Sequence, residues 1–393
     1  MQKVYWDLPS LFLYLFLSFV GYFCLRAIVE KANGKNVLTI LTSKQSMCMI
    51  IIWTFFATFR LCNGYIGGSD SMGYIDFFEH CNDPGFAETT TDHSVLDPAF
   101  FCINKVIRFI SSDYHIYFAI IYSFMASSII LFTKKYCAIG YSYVSFVLAF
   151  FLYLRSFSSI RSNLGLSFIL IALYYLSDKR YKKSYLWAMC AVLTHKIFFL
   201  IALVVPFCHI FQKKDLKLVH VILLLVISVG FGIMFQDLFI LYTSLNDMGG
   251  AYGAYAAKAK ESATLWYVPN YEMYALSLLI LVFYKRIDRQ IDTYKQLKKT
   301  EGVFNLKILR LICVFDILTL PVNLLLGNWR AYELLYIPRM CMWCYIVSFL
   351  GLKINNKKQI NVIFFIVLIA WIILRLYKTY EDTRLMPYAF DLL

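Results

Sequence analysis

The sequence predicts an all-α, polytopic membrane protein, and three observations lead there. Of 393 residues, 60% are hydrophobic and only 16% are charged, whereas a soluble domain is about a quarter charged. Mean hydropathy over the whole chain is +0.64, which places it among chains that cross a bilayer repeatedly. The cationic residues gather in short segments between long apolar runs, the pattern that orients membrane proteins. A single soluble core is thereby excluded, and the net charge of +14 reads as topology, with no nucleic acid expected as a partner.

The first apolar run, Leu8–Val29, has no small-residue cleavage site behind it and reads as a retained transmembrane helix. A crossing needs roughly 20 apolar residues. Ser46–Leu61, Tyr114–Phe132, Ala138–Leu154, Ile160–Ser177 and Leu216–Phe235 are the next candidates. Pro269–Phe283, Ile308–Leu326, Tyr332–Leu350 and Ile360–Leu376 complete a set of about ten crossings. The loops Glu30–Lys44, Thr133–Tyr136, Asp178–Lys183, Gln212–Lys217, Lys285–Lys307 and Lys353–Lys358 hold about 22 of the 38 Lys and Arg. The positive-inside rule assigns those loops to the cytoplasm.

Two of these loops flank one apolar stretch, Ser184–Phe211. If both are inside, the chain turns back between them, and the polar triplet Thr194–His195–Lys196 marks where. Each half then measures roughly 17–24 Å at 1.5 Å per residue, short of a crossing. A short or re-entrant helix pair is expected over 184–211, with His195 at the outer turn. Irregular backbone at that depth is tolerated when it is buried in protein or lines water. The competing reading is one straight span with Lys213 and Lys214 outside. With the reversal, both termini and the segments Cys62–Asp97, Arg155–Ser159, Gln236–Pro269 and Gly327–Ala331 lie outside. Leu96–Ile110 reads as an amphipathic helix in the outer interface, with Asn104, Lys105 and Arg108 on its polar face. The whole chain, 1–393, is expected to form one integral membrane domain with outer loops 62–97 and 236–269.

This topology brings Arg60, Asp70, Arg155, Arg161, His195 and Arg330 to one membrane face without using their identities. An ionisable residue at the edge of hydrocarbon usually faces protein or a wet cavity. Arg keeps its charge when partly buried and offers a planar fork of donors suited to phosphate. Arg161, Arg339, Arg330, Arg60 and Arg155 are therefore candidates to hold an anion such as a diphosphate. Against this stand snorkelling to the interface and pairing with Glu333 or Asp316. His195 is placed to exchange a proton near neutral pH, and Asp70, within the Gly-rich stretch Gly67–Gly73, is a competing base. The alternatives are a hydrogen-bonded core imidazole and a turn-forming carboxylate. Tyr252, Tyr255 and Trp266, beside Lys258 and Lys260, suit sugar contact or interfacial anchoring.

The eleven Cys are mostly inside apolar runs, as small buried hydrophobes are. Cys81 is left open to pairing with Cys62 or Cys102. The His residues show no ligand spacing, and no H-E-x-x-H, D-x-D or phosphate-cradling Gly loop is present, so neither a metal nor another cofactor is expected. No His–carboxylate motif of the acyltransferase kind stands out either.

Together these pieces resemble the EpsG-like branch of the Wzy-type oligosaccharide repeat-unit polymerases. The resemblance rests on an apolar segment ending at Arg60, then Gly68–Asp70 with Tyr74 and Phe77, then Asp97–Pro98–Phe100. Arg161 opens a helix, a Lys/Arg loop follows, and A-x-x-x-H ends at His195. Tyr252–Tyr255, Arg330 or Arg339, and Pro387–Tyr388 complete it. The resemblance implies a multipass glycosyltransferase on the outer face of the bacterial cytoplasmic membrane, making O-antigen, capsule or exopolysaccharide. Its substrates would be glycans on undecaprenyl diphosphate, and its partners a flippase and a chain-length regulator. By that likeness Arg161 and Arg339 or Arg330 would stabilise the leaving diphosphate without a metal, and His195 would either assist at the diphosphate or deprotonate the attacking hydroxyl, with Asp70 the competing base. A lipid-linked oligosaccharide flippase is the alternative from another functional class.

Overall fold

A computed structural model describes residues 5–31, 36–83, 97–136, 153–195, 197–214, 216–245, 271–296, 300–325, 338–339, 341–343, 346 and 357–391. Among them the architecture is all-helical, with a single antiparallel bridge between Arg60 and Phe390. Ala138–Leu154 (apart from its last two residues), most of Tyr332–Leu350, Lys196, Arg330, Tyr252, Tyr255 and Trp266 lie outside the described residues.

In chain order the helices are α1 (Leu8–Lys31), α2 (Val37–Leu41), α3 (Lys44–Thr58), α4 (Ser71–His80), α5 (Pro98–Ile110), α6 (Tyr114–Tyr136) and α7 (Ile160–Ser177). Then come α8 (Tyr181–Thr194), α9 (Phe198–Ala202), α10 (Val204–Phe211), α11 (Leu218–Leu245), α12 (Tyr271–Gln296), α13 (Thr300–Leu325) and α14 (Lys357–Thr383). Among the described residues, three stretches are long and apolar enough to cross a membrane: Leu8–Val29, Tyr114–Tyr136 and Ile160–Ser177. Shorter apolar helices cover Phe198–Phe211 and Leu218–Met234.

Two expected boundaries change. The span at Ser46–Leu61 is a 15-residue helix, α3, roughly 22 Å long, and Phe59 and Arg60 leave it to pair with the C-terminal tail. The expected cytoplasmic loop Lys285–Lys307 is mostly helix, since α12 runs on to Gln296 and α13 begins at Thr300. Lys, Arg, Gln and Leu are strong helix formers, so charge in that segment does not mean irregular backbone.

The chain divides into two units, Met1–Val205 with Val347–Leu393, and Pro206–Ile346. In the first, α3 packs on α1 and α6, and α7 packs on α6 and α8. Side chains fasten these helices through backbone carbonyls. Trp53 Nε1 donates to Leu17 O at 3.1 Å, and Gly21 leaves room for its ring, because a Cβ there would meet Trp53 Cζ2 at 2.5 Å. Tyr136 donates to Leu173 O at 2.8 Å and Tyr153 to Trp53 O at 2.7 Å.

The C-terminal tail is threaded back over this unit. Leu61 N donates to Ala389 O, and Asp391 N to Phe59 O, both at 2.8 Å. Gly68 N and Ser69 N donate to Arg384 O and Thr383 O, and Tyr388 hydroxyl to Phe56 O at 2.7 Å. The tail thus replaces a sheet partner for the loop between α3 and α4 and fixes that loop's backbone. In the second unit α13 packs against α11 and α12.

Candidate functional site

α7 and α8 form an antiparallel hairpin whose register follows from its tight turn at Asp178–Arg180. Lys179 takes φ +57 there, and Lys135 of α6 pairs with Asp178 at 2.8 Å. Ser184 then donates to Ala172 O at 2.7 Å, and Phe168 stacks on Trp187 at 5.6 Å. Continuing that register for two more turns brings the first turn of α7 alongside the end of α8. Arg161 and His195 therefore meet because the hairpin arms are nearly equal in length. The polar break expected at Thr194–His195 is present: α8 ends at Thr194, and His195 is extended at φ −159, ψ 123.

Past the break, Phe198 packs on Gly165, one turn along from Arg161. A Cβ at Gly165 would meet the Phe198 ring at 2.4 Å. That close approach keeps α9 against α7 and holds the irregular backbone inside protein.

The third member of the cluster comes from α5. Asp97 precedes Pro98, which occupies the first turn where no backbone N–H is needed. The carboxylate does not cap its own helix. It accepts instead from Arg161 Nη1 at 2.7 Å through Oδ2, and its Oδ1 lies 3.5 Å from His195 Nδ1. The Asp97 side chain is 2% exposed, His195 9% and Arg161 19%. One carboxylate thus bridges a guanidinium and an imidazole at the end of a helix hairpin, with the guanidinium the most accessible of the three. Buried Ser156, Ser158, Ser162 and Asn163 surround the start of α7, and the positive end of that helix adds to a field that favours an anion. No His–carboxylate pair had stood out in the sequence; His195 with Asp97 is one.

The other expected arginines are placed differently. Arg60 is fully buried. Its Nε donates to Gly67 O at 2.9 Å and Nη2 to Ser71 Oγ at 3.3 Å, while Nη1 reaches Ala57 O. Phe118, Phe157 and Tyr122 enclose it, with Cζ 4.5, 4.5 and 5.0 Å from their ring centroids. This guanidinium is spent on the loop it anchors and has no face for a diphosphate. Arg339, in the second unit, is also fully buried and makes a two-point pair with Asp316: Nε to Oδ2 at 2.8 Å and Nη2 to Oδ1 at 2.6 Å. Ser277 donates to the same Oδ2 at 2.9 Å. The Asp316 pairing weighed for it is the one observed. Arg155 is half-buried in the turn before α7.

Asp70 occupies the N-cap position of α4, and its exposed carboxylate makes no capping bond. Nothing brings it to the Asp97–Arg161–His195 cluster. Arg330, Tyr252, Tyr255 and Trp266 fall outside the described residues, so their expected roles stand where the sequence left them. Asp97 enters the sequence pattern only through the Asp97–Pro98–Phe100 likeness, which assigns it no role. The signal that marks it is an Asp-Pro pair opening an amphipathic helix.

α5 differs from its sequence reading on one point. Asn104 faces inward with Phe100 and Ile107, its amide donating to Phe100 O at 2.8 Å. Cys102, Lys105, Val106, Phe109 and Ile110 are exposed, Phe109 at 90%. An apolar outer face beside Lys105 and Arg108 suits immersion in a lipid interface. Cys62, Cys81 and Cys102 are free thiols. Among the described residues no group of three or more His, Cys, Asp or Glu is placed to hold a metal ion.

The model of the EpsG family matches residues 44–390. No curated protein and no solved structure matches the chain.

Proposed function

The chain belongs to the EpsG family, and from that premise we propose that it polymerises oligosaccharide repeat units carried on undecaprenyl diphosphate, at the outer face of the bacterial cytoplasmic membrane. The proposal includes about ten crossings in all, with the α8–α9 break re-entrant from the outer side. The observation that carries it is the convergence of Arg161, His195 and Asp97 at one end of the α7–α8 hairpin.

In this reaction a sugar hydroxyl of the incoming repeat attacks the anomeric carbon of the growing chain. The new carbon–oxygen bond forms as the bond from that carbon to the diphosphate oxygen breaks. Two demands fall on the site: the hydroxyl proton must leave, and the diphosphate must carry away its negative charge. His195 suits the proton transfer: with Asp97 3.5 Å from its Nδ1 to stabilise the imidazolium, Nε2 takes the proton. Arg161 suits the departing charge, since its partly accessible guanidinium is a preformed donor in a water-poor place. Displacement in one step inverts the anomeric centre.

Asp97 pairs with Arg161 before substrate arrives, so the cluster is balanced in charge at rest. That pairing also locks α5 to the hairpin and would do so in a purely structural role. The two roles separate on substitution. Asp97→Asn keeps the shape and much of the hydrogen bonding, so protein abundance holds while polymerisation falls if the carboxylate orients His195. In the structural role, abundance and activity fall together.

Electrophoresis of surface glycans from a deletion strain tests the function itself. A ladder collapsing to one repeat unit, with lipid-linked single repeats gathering on the outer face, supports a polymerase. Accumulation on the inner face instead indicates a flippase and overturns the proposal.

A further inference from the structure

A pocket of about 350 Å³ opens between the end of α3 and the first turns of α6. It is separate from the Asp97–Arg161–His195 cluster but shares its end of the bundle. Arg60, two residues past α3, packs on Phe118 in the first turns of α6 and on Phe157 just before α7.

The rim is polar and held in place. His115 Nδ1 and backbone N both meet Asp113 Oδ1, at 2.9 and 2.8 Å. Asp391, on the C-terminal tail, lies 4.0 Å from His115 Nε2 through its Oδ2, and Tyr114 donates its hydroxyl to the same oxygen. Burial pushes the Asp113 carboxyl up, but the two bonds from His115 outweigh it and hold it below the usual carboxylate range. His115 Nε2 is buried without a hydrogen-bond partner.

The wall from α3 carries two more unspent groups. Thr58 is 4% exposed, and neither its hydroxyl nor that of Thr54 has a hydrogen-bond partner. Both residues line the pocket. Buried polar atoms left this way are unfavourable unless something else supplies the partner. Beside them stand the rings of Phe55 and Phe59. The inventory is a buried imidazole nitrogen, two carboxylates, two hydroxyls that donate or accept, and aromatic surface. Several hydroxyls on a ring with an apolar C–H face satisfy all of it.

We infer that this pocket is a subsite for one sugar ring of the glycan, remote from the bond being made. The inference rests on the polymerase reading and adds a hold on the chain between successive additions. Releasing and regripping at such a subsite sets how many units are added before the product departs.

The test uses the full chain in phospholipid nanodiscs and, as probe, an oligosaccharide of a few repeats cut from the strain's own surface polymer. Saturation-transfer NMR reads its contact with the protein. Thr54→Val with Thr58→Val removes the hydroxyls at constant volume, and Ala119→Phe fills the pocket from the α6 side without touching its polar groups. The expected result is at least fivefold less transfer in both variants, with Arg161→Ala retaining the signal, and shorter polymer in cells at normal protein level. Equal transfer in the parent and both pocket variants overturns the subsite, as does no transfer in the parent. The polymerase reading is judged apart, by the deletion strain: a collapsed ladder with unaltered pocket variants removes only the subsite, and an intact ladder removes the reading beneath it.

Discussion

Arg60 and Arg161 look alike in sequence, each a lone guanidinium at the end of an apolar segment assigned to the same face, yet they are put to opposite uses. Arg60 is sealed among Phe118, Tyr122 and Phe157, with donors on Gly67 and Ala57 carbonyls and on Ser71. Arg161 keeps 19% of its side chain accessible and shares one carboxylate with a histidine. The lesson is that a membrane-edge arginine is defined by who accepts its protons. A cation whose acceptors are backbone carbonyls of its own loop is an anchor. One paired to a carboxylate that also faces an imidazole is the one the proposed reaction would use.

The largest effect concerns the anchor. Arg60→Ala removes the donors to the Ala57 and Gly67 carbonyls and to Ser71 and empties an aromatic cage, a loss of about 3 kcal/mol. Folded protein in the membrane should become scarce, with polymer falling only in proportion, as immunoblot and glycan gels measured together will show. Arg60→Lys should not rescue it, because an ammonium cannot span the three acceptors. A stable Arg60→Ala protein without activity would return this residue to the substrate site and erase the contrast.

Next comes Arg161→Ala, expected to cut polymerisation by about 10²- to 10³-fold at unchanged abundance. Arg161→Lys should recover a small part, since it restores charge without the fork. Asp97→Asn follows at roughly 10²-fold, again without loss of protein. Smallest is Asp70→Asn, where activity within about twofold of the parent is expected from a carboxylate that touches neither cluster. A large drop there would move the proton acceptor to the α3–α4 loop.

Much of this site is legible in the sequence alone. Loop charge locates the ends of α7 and α8, and two arms of similar length joined by a tight turn must bring Arg161 to His195. The polar Thr194–His195 pair also marks the helix break, because its groups can bond outside the helical ladder. Asp97 is not legible, for a reason of distance: its partners are brought in by the packing of α5 on α8, which a single sequence does not encode as a local pattern. The Arg60 cage is opaque in the same way, its rings arriving from α6 and from the turn before α7. Arg339 is readable only as a choice, and the packing of α13 presents Asp316 to it. The segment Lys285–Lys307 misleads because its charge suggests a loop, although its residues favour helix.

Electrophoresis of surface glycans from cells carrying His195→Ala or Arg161→Ala, at protein levels equal to the parent, tests the central claim most directly. Both variants are expected to give a ladder reduced to a single repeat unit. A full-length ladder from both would contradict it.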